Sequence, residues 1–196
     1  MKLIGLRIAA VAMVLSAFPA LAGGVDADKV QYCSWCHGVT GQGFSTAPRL
    51  AGQRVEYIQD QLLSFQQHTR TGPLMWGAVK SLSALQASDL AAYFSAIPPD
   101  PADNGDSVIA SVGKNIYREG IQESNIPACA ACHGPNAEGL GKIPRLAGLS
   151  AAYLKIRLDQ WAQENHAATS PPMPRIASQL SSNDIDALAS YLSFVK

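Results

Sequence analysis

A helical chain written twice is what this sequence predicts, on three observations. Cys33-Ser34-Trp35-Cys36-His37 returns as Cys129-Ala130-Ala131-Cys132-His133. Pro48-Arg49-Leu50-Ala51-Gly52 returns, letter for letter, as Pro144-Arg145-Leu146-Ala147-Gly148, each Pro lying 11 residues after its His. After each pentapeptide, apolar residues recur at spacings of three and four, which places them on one helix face.

Bulk composition narrows the class. Of the 196 residues 47% are hydrophobic and 15% charged, the balance of an ordinary globular chain and not a disordered one. Lys+Arg and Asp+Glu are both 15 and no basic stripe appears, which excludes a nucleic-acid partner.

At the N-terminus, Lys2 and Arg7 precede an apolar run over 8–18, followed by Ala20-Leu21-Ala22. This reads as a secretory signal peptide over 1–22 with an A-x-A cleavage site. The alternative is an uncleaved membrane anchor. Against it, Pro19 and the small residues of 20–24 interrupt the run short of the ~20 strongly apolar residues a span needs. Loss of Lys2 and Arg7 leaves a mildly acidic mature chain.

All four cysteines fall in the two pentapeptides that end in His, so none remains for a disulfide. Each copy reads as a covalent c-type haem site: Cys33 and Cys36, or Cys129 and Cys132, form thioethers to the two haem vinyl groups. His37 or His133 is then the proximal iron ligand. A zinc site would want further ligands at finger-like spacing, and a thioredoxin-like pair would follow a strand in a βαβ unit; neither context is present. Covalent attachment outside the bacterial cytoplasm agrees with an export signal, so the expected location is the periplasm.

After the first Pro-Arg-Leu-Ala-Gly, Val55, Ile58, Leu62 and Phe65 form one helix face; after the second, Leu154, Leu158 and Trp161 do so. Tyr57 and Tyr153 match, as do Phe65 and Trp161, each eight residues beyond its Tyr. The aliphatics read as core, and the aromatics as packing on haem or on protein. Met75 and Met173 are each followed seven residues later by Leu-Ser, and lie 38 and 40 residues after their haem His. No other Met follows residue 22, and both sit in Pro-containing loops. They are assigned as the distal iron ligands rather than as flexible core filler.

His68 and His166, each seven residues before its Met, read as exposed loop residues, with alternative iron ligation as the sharper reading. Each half then closes with a helix. Ser83 and Gln86 form a capping box before Leu90, Tyr93, Phe94 and Ile97; Ser181 and Asp184 precede Ile185, Leu188, Tyr191 and Val195.

Residues 98–106, with three prolines in four positions, read as an extended linker between a first domain over 23–97 and a second over 107–196. The second domain opens with a helix over about 107–120 containing Gly113 and Tyr117, then a loop to Cys129. The first has only about ten residues before Cys33, so its opening helix is expected to be short and its haem edge less covered.

With these features duplicated, the sequence resembles the dihaem class I cytochromes c, and most closely the cytochrome c4 family. The resemblance implies an all-α fold of two tandem class I cytochrome c domains with pseudo-twofold symmetry, and two covalently bound haem c groups close enough to exchange electrons. It implies that the carbonyls of Pro48 and Pro144 accept a hydrogen bond from His37 and His133. Arg49 and Arg145 pair with haem propionates or are solvated at the surface. Trp76, where the second half has Pro174, is a departure from the repeat.

The function expected is electron transfer and not catalysis, because iron bound by both His and Met has no open position for substrate. The partners expected are redox proteins: a quinol-oxidising complex, a dehydrogenase or a terminal oxidase. Membrane association would come only through them, and no small-molecule substrate is expected. Two alternatives stand beside this: a dedicated dihaem subunit of a periplasmic dehydrogenase of the flavocytochrome type, and a dihaem enzyme with an open distal position.

Overall fold

The computed structural model describes residues 24–44, 46–163 and 172–196. Among them every regular element is helical, and β pairing is confined to single bridges at Phe44–Ala47, Ile121–Ile126 and Leu140–Ile143. Two core clusters lie one in each half. No helix among the described residues is long and apolar enough to cross a membrane.

Helix α1, Ala27–His37, is capped by the Asp26 carboxylate, which accepts from the backbone N–H of Asp28 and Lys29. The expected short opening helix and the haem motif are one continuous element, because nothing between Val30 and His37 breaks it. Helix α2, Val55–Gln66, buries Ile58 and Phe65; α3, Pro73–Val79, begins on Pro73. Helix α4, Ala84–Ala96, carries the expected capping box between Ser83 and Gln86 and buries Leu90, Ala91 and Phe94.

The second half opens with α5, Ala110–Glu119. It starts three residues later than the sequence predicts, because the Asp106 carboxylate takes the Val108 N–H and holds 107–109 as a turn. Helix α6, Ala130–His133, carries the second motif, and α7, Ala151–Ala162, is capped by Ser150. After α8, Met173–Ala177, α9, Ser182–Phe194, repeats the capping box with Ser181 and Asp184.

The halves differ most where α5 crosses α9. Gly113 lies so close to α9 that a Cβ there would fall 1.9 Å from the Ala187 carbonyl oxygen. Such contact lets the buried Ile116 and Tyr117 join Leu188 and Leu192 in the core. In the first half α1 contributes only its apolar edge, Val30 and Cys33 together with the preceding Val25, to the cluster of Ile58, Leu90, Ala91 and Phe94.

Residues 98–106 have no helix, and they are fixed in place. Gln42 binds Pro98 O and Asp100 N on the first half. Ala102 N donates to Gly148 O, Asp103 N to Ser193 O and Gly105 N to Ser193 Oγ on the second.

Candidate haem sites

On α1, Cys33, Cys36 and His37 stand at i, i+3 and i+4, so both thiols and the imidazole share one face. The second motif begins at the end of a loop, with Cys129 preceding α6. In both, the first cysteine is half-buried against its own core and the second is exposed, with no disulfide. Burial raises the Cys33 thiol and pushes Cys129 up to about 11. A redox-active Cys-x-x-Cys needs the opposite, a depressed thiol. No group of three or more His, Cys, Asp or Glu able to hold a metal occurs among the described residues, so a zinc site has no further ligands there.

Both histidines are buried. His37 Nδ1 lies 2.8 Å from Pro48 O and His133 Nδ1 lies 3.0 Å from Pro144 O. A carbonyl can only accept, so Nδ1 carries the hydrogen. Burial lowers both imidazoles below their usual value, with the proline carbonyl opposing it, and in the neutral ring Nε2 then bears the lone pair. This is the tautomer that a histidine ligating a metal through Nε2 requires.

The loops between His and Pro are built alike. Gly43 N donates to His37 O and Gly139 N to His133 O, both at 2.8 Å; the next turn closes on Gly41 O and Ala137 O respectively. The second loop has one added support, Tyr117, whose hydroxyl donates to Gly134 O at 2.5 Å. Burial drives that phenol well above its usual range.

Met75 lies in α3 and Met173 at the first position of α8, both half-buried. His68 is exposed, with φ +57°, and its ring lies 4.5 Å from that of Trp76. His166 lies outside the described residues.

The two Pro-Arg-Leu-Ala-Gly segments meet at the interface between the halves. Arg49 is 4% exposed and not solvated: Nη1 donates to Asp100 O at 2.5 Å and Gly148 O at 2.9 Å, and Nη2 donates to Ala147 O. Burial, and then the facing Arg145, push its guanidinium down to about 10, with Asp100 opposing; it is a cation at neutral pH. Arg145 contributes backbone, its N and O both bound by the Gln53 side chain.

Beside these, the Tyr57 and Tyr153 hydroxyls are hydrogen-bonded to each other, and that of Tyr153 also accepts from Arg70 Nη2 at 3.2 Å. Burial and then the neighbouring Tyr153 push Tyr57 up to about 12. The tyrosines named from the repeat thus bridge the halves. Arg70 and Gln53 were not singled out from the sequence. Their signal was present in the repeat, since Leu149 stands where Gln53 does counted from the Pro-Arg-Leu-Ala-Gly segments, and Ala168 where Arg70 does counted back from the Met residues.

Arg49, Arg54, Arg70 and Arg145 each keep a buried Nε–H with no acceptor among the described residues. Haem propionates are the carboxylates that such donors fit, and the cysteine pairs and Nδ1-protonated histidines fit a covalently held haem.

A small helical half that offers two thiols to a haem and orients its histidine through a proline carbonyl is a class I c-type cytochrome domain, and this chain has two. A cytochrome c family model matches residues 110–196, the second half. Cytochrome c4 of Thiocapsa roseopersicina is 37% identical over 82% of this chain and 85% of its own length. The thiosulfate dehydrogenase electron acceptor of Stutzerimonas stutzeri is 38% identical over 83% of this chain and 78% of its own length. The crystal structure of reduced recombinant cytochrome c4 from Pseudomonas stutzeri matches with a TM-score of 0.82 at 32% identity, over 89% of this chain and 100% of that one. The chain belongs to the cytochrome c4 family. It carries two covalently bound haem c groups and is an electron-transfer protein with redox-protein partners.

Proposed function

We propose that the chain, as domains 23–97 and 107–196 joined by the linker 98–106, is an exported periplasmic electron carrier with no enzymatic activity. In this reading His37 and Met75 are the axial ligands of one iron, and His133 and Met173 those of the other. The observation that carries it is the doubled hydrogen bond from each His Nδ1 to its Pro carbonyl, paired with one half-buried Met at the matching place in each half. Bound haem supplies reversible one-electron chemistry. With each Nδ1–H held by its proline carbonyl, Nε2 of His37 and His133 would be the nitrogen that binds iron and Met75 and Met173 would supply the second protein ligand, a combination that raises the potential.

Electrons would enter from a quinol-oxidising complex or a periplasmic dehydrogenase and leave to a terminal oxidase. Arg49, Arg54, Arg70 and Arg145, each with a buried Nε–H that lacks an acceptor among the described residues, would be the groups to hold the haem propionates.

The far-red Met-to-iron band of the ferric holoprotein, quantified against total haem, tests the ligand set. Two Met-ligated haems per chain are expected. One or none would overturn the carrier reading and favour a haem with an open distal position.

The second reading is a dedicated acceptor for one dehydrogenase. The likeness to a thiosulfate dehydrogenase electron acceptor supports that class of donor. Mixing the oxidised protein with such a dehydrogenase and thiosulfate, and following haem reduction by stopped flow, separates the two readings. A dedicated acceptor is reduced fast by that enzyme alone, a general carrier by several donors.

A further inference from the structure

We propose that Trp76 and Arg70 are positioning residues for Met75, and that through Tyr153 they tie the distal side of the first haem, but not the second, to the other half of the molecule. The proposal rests on Met75 being an axial ligand.

Trp76 follows Met75 directly on α3 and is clamped on three sides. Its Nε1–H donates to Arg70 O at 2.8 Å, its backbone N–H donates to Gly72 O at 2.9 Å, and its ring lies against His68 with 31° between the planes. Moving Met75 along or around α3 therefore strains the contacts of the next residue.

The loop that holds Trp76 is itself fixed. Thr69 N and Arg70 N both donate to Ser64 O at the end of α2, and His68 N donates to Phe65 O. The Arg70 side chain is buried, with its guanidinium carbon 4.5 Å from the centre of the Phe65 ring, and Nη1 donates to Gln61 Oε1 at 2.5 Å. Its Nη2 reaches across the interface to the Tyr153 hydroxyl on α7. A continuous path of hydrogen bonds and one backbone link thus runs from Trp76 to the second half.

The repeat shows that this path is one-sided. Pro174 follows Met173 and has neither a backbone nor a side-chain N–H, and Ala168 stands at the place of Arg70. The ring matching Phe65, Trp161, is faced by a guanidinium from elsewhere, Arg157 on α7, at 5.4 Å. Trp76 is therefore replaced in the second half by a residue that has no N–H to donate and, counted back from the Met, Arg70 by one without a guanidinium. Partners of ligating groups typically change ligand affinity by about 10- to 100-fold when removed.

The test uses the holoprotein and imidazole as a competing iron ligand, following loss of the Met-to-iron band as imidazole is added. Trp76→Phe removes the Nε1–H and keeps a ring against His68. Tyr153→Phe removes the hydroxyl that Arg70 meets and keeps its ring. Each variant is also made in a Met173→His background, where the remaining band belongs to Met75. The Met75 band should be lost at about tenfold lower imidazole in Trp76→Phe, and at measurably lower imidazole in Tyr153→Phe. The Met173 band should not move in either, and the potential of the first haem alone should shift. An unmoved Met75 band, or an equal shift of both bands, would overturn the proposal, because a general loosening affects both halves. Fewer than two Met-ligated haems in the parent protein, with the missing band that of Met75, would instead overturn the ligand assignment on which the proposal stands.

Discussion

Gln53 reads the backbone of Arg145 at both ends of one residue: its Nε2 donates to Arg145 O at 2.9 Å and its Oε1 accepts from Arg145 N at 2.7 Å. The same Oε1 accepts from Arg54 N, and Gln53 is 5% exposed. One side chain therefore satisfies main-chain groups of both halves. Gln53→Leu, which installs the residue found at the matching place, leaves these N–H and C=O groups without partners at nearly constant volume. It should destabilise the holoprotein by about 1–3 kcal/mol in denaturant unfolding, the range for stranding buried polar groups. An unchanged midpoint would mean that water replaces Gln53 and that the interface does not depend on it.

What could be read from the sequence was local, and what could not was contact between the halves. Ser83 with Gln86, and Ser181 with Asp184, announce their helices because capping is completed within four residues. The cysteine and histidine positions were legible for the same reason, since haem attachment dictates their spacing. Arg49 and Arg145 occupy identical pentapeptides, yet the first uses its guanidinium across the interface and the second its backbone. No local pattern distinguishes them, because the difference lies in distant partners: the Asp100, Ala147 and Gly148 carbonyls for Arg49, the Gln53 side chain for Arg145. Burial of Arg49 removes the solvated reading, and its three carbonyl acceptors, two of them nearly 100 residues away, leave no local trace; its Nε–H has no acceptor among the described residues.

Haem count follows from the two cysteine pairs acting independently. Replacing Cys33 and Cys36 together by Ala should leave one covalent haem per chain, held by Cys129 and Cys132, as read by haem staining and intact mass. The second half is the one to survive alone, because its core closes around Tyr117 and α5 without help from the first. Loss of both haems would show instead that the halves mature together.

Gly113→Ala separates the halves by packing. A Cβ at 113 would meet the Ala187 carbonyl at 1.9 Å, and backbone on both sides leaves little to give. Overpacking of this kind costs about 1–3 kcal/mol or more. The cost should fall on α5 and α9, so hydrogen exchange should rise in Ile185, Leu188 and Leu192 while Leu90 and Phe94 of the first half stay protected. Equal loss in both halves would make the molecule a single cooperative unit, in keeping with the hydrogen bonds of Arg49 and Gln53.

Gly41 and Ala137 show how the two halves reach the same loop by different means. Both have left-handed backbone, φ +66° and +57°, and each accepts two backbone N–H groups from its own Pro-Arg-Leu-Ala-Gly segment. In the first half the Phe94 ring is so near that a Cβ on Gly41 would lie 2.8 Å from its Cδ1. In the second half the residue matched to Phe94 is Leu192, identified by the bond from Gly148 N that mirrors the one from Gly52 N to Phe94 O, and the Ala137 methyl fits beside it in the core. Glycine with phenylalanine and alanine with leucine are thus two solutions to one volume. Gly41→Ala should cost about 2–4 kcal/mol, from the left-handed backbone and the overlap together. Phe94→Leu should cost about 1 kcal/mol as a modest cavity. Combined, they recreate the second half's pair, and the double variant should be more stable than the sum of the two losses predicts by about 1–2 kcal/mol, the size of coupling found between touching residues. Simple additivity in the double-mutant cycle would mean that the strained backbone alone, and not the Phe94 ring, selects glycine at 41.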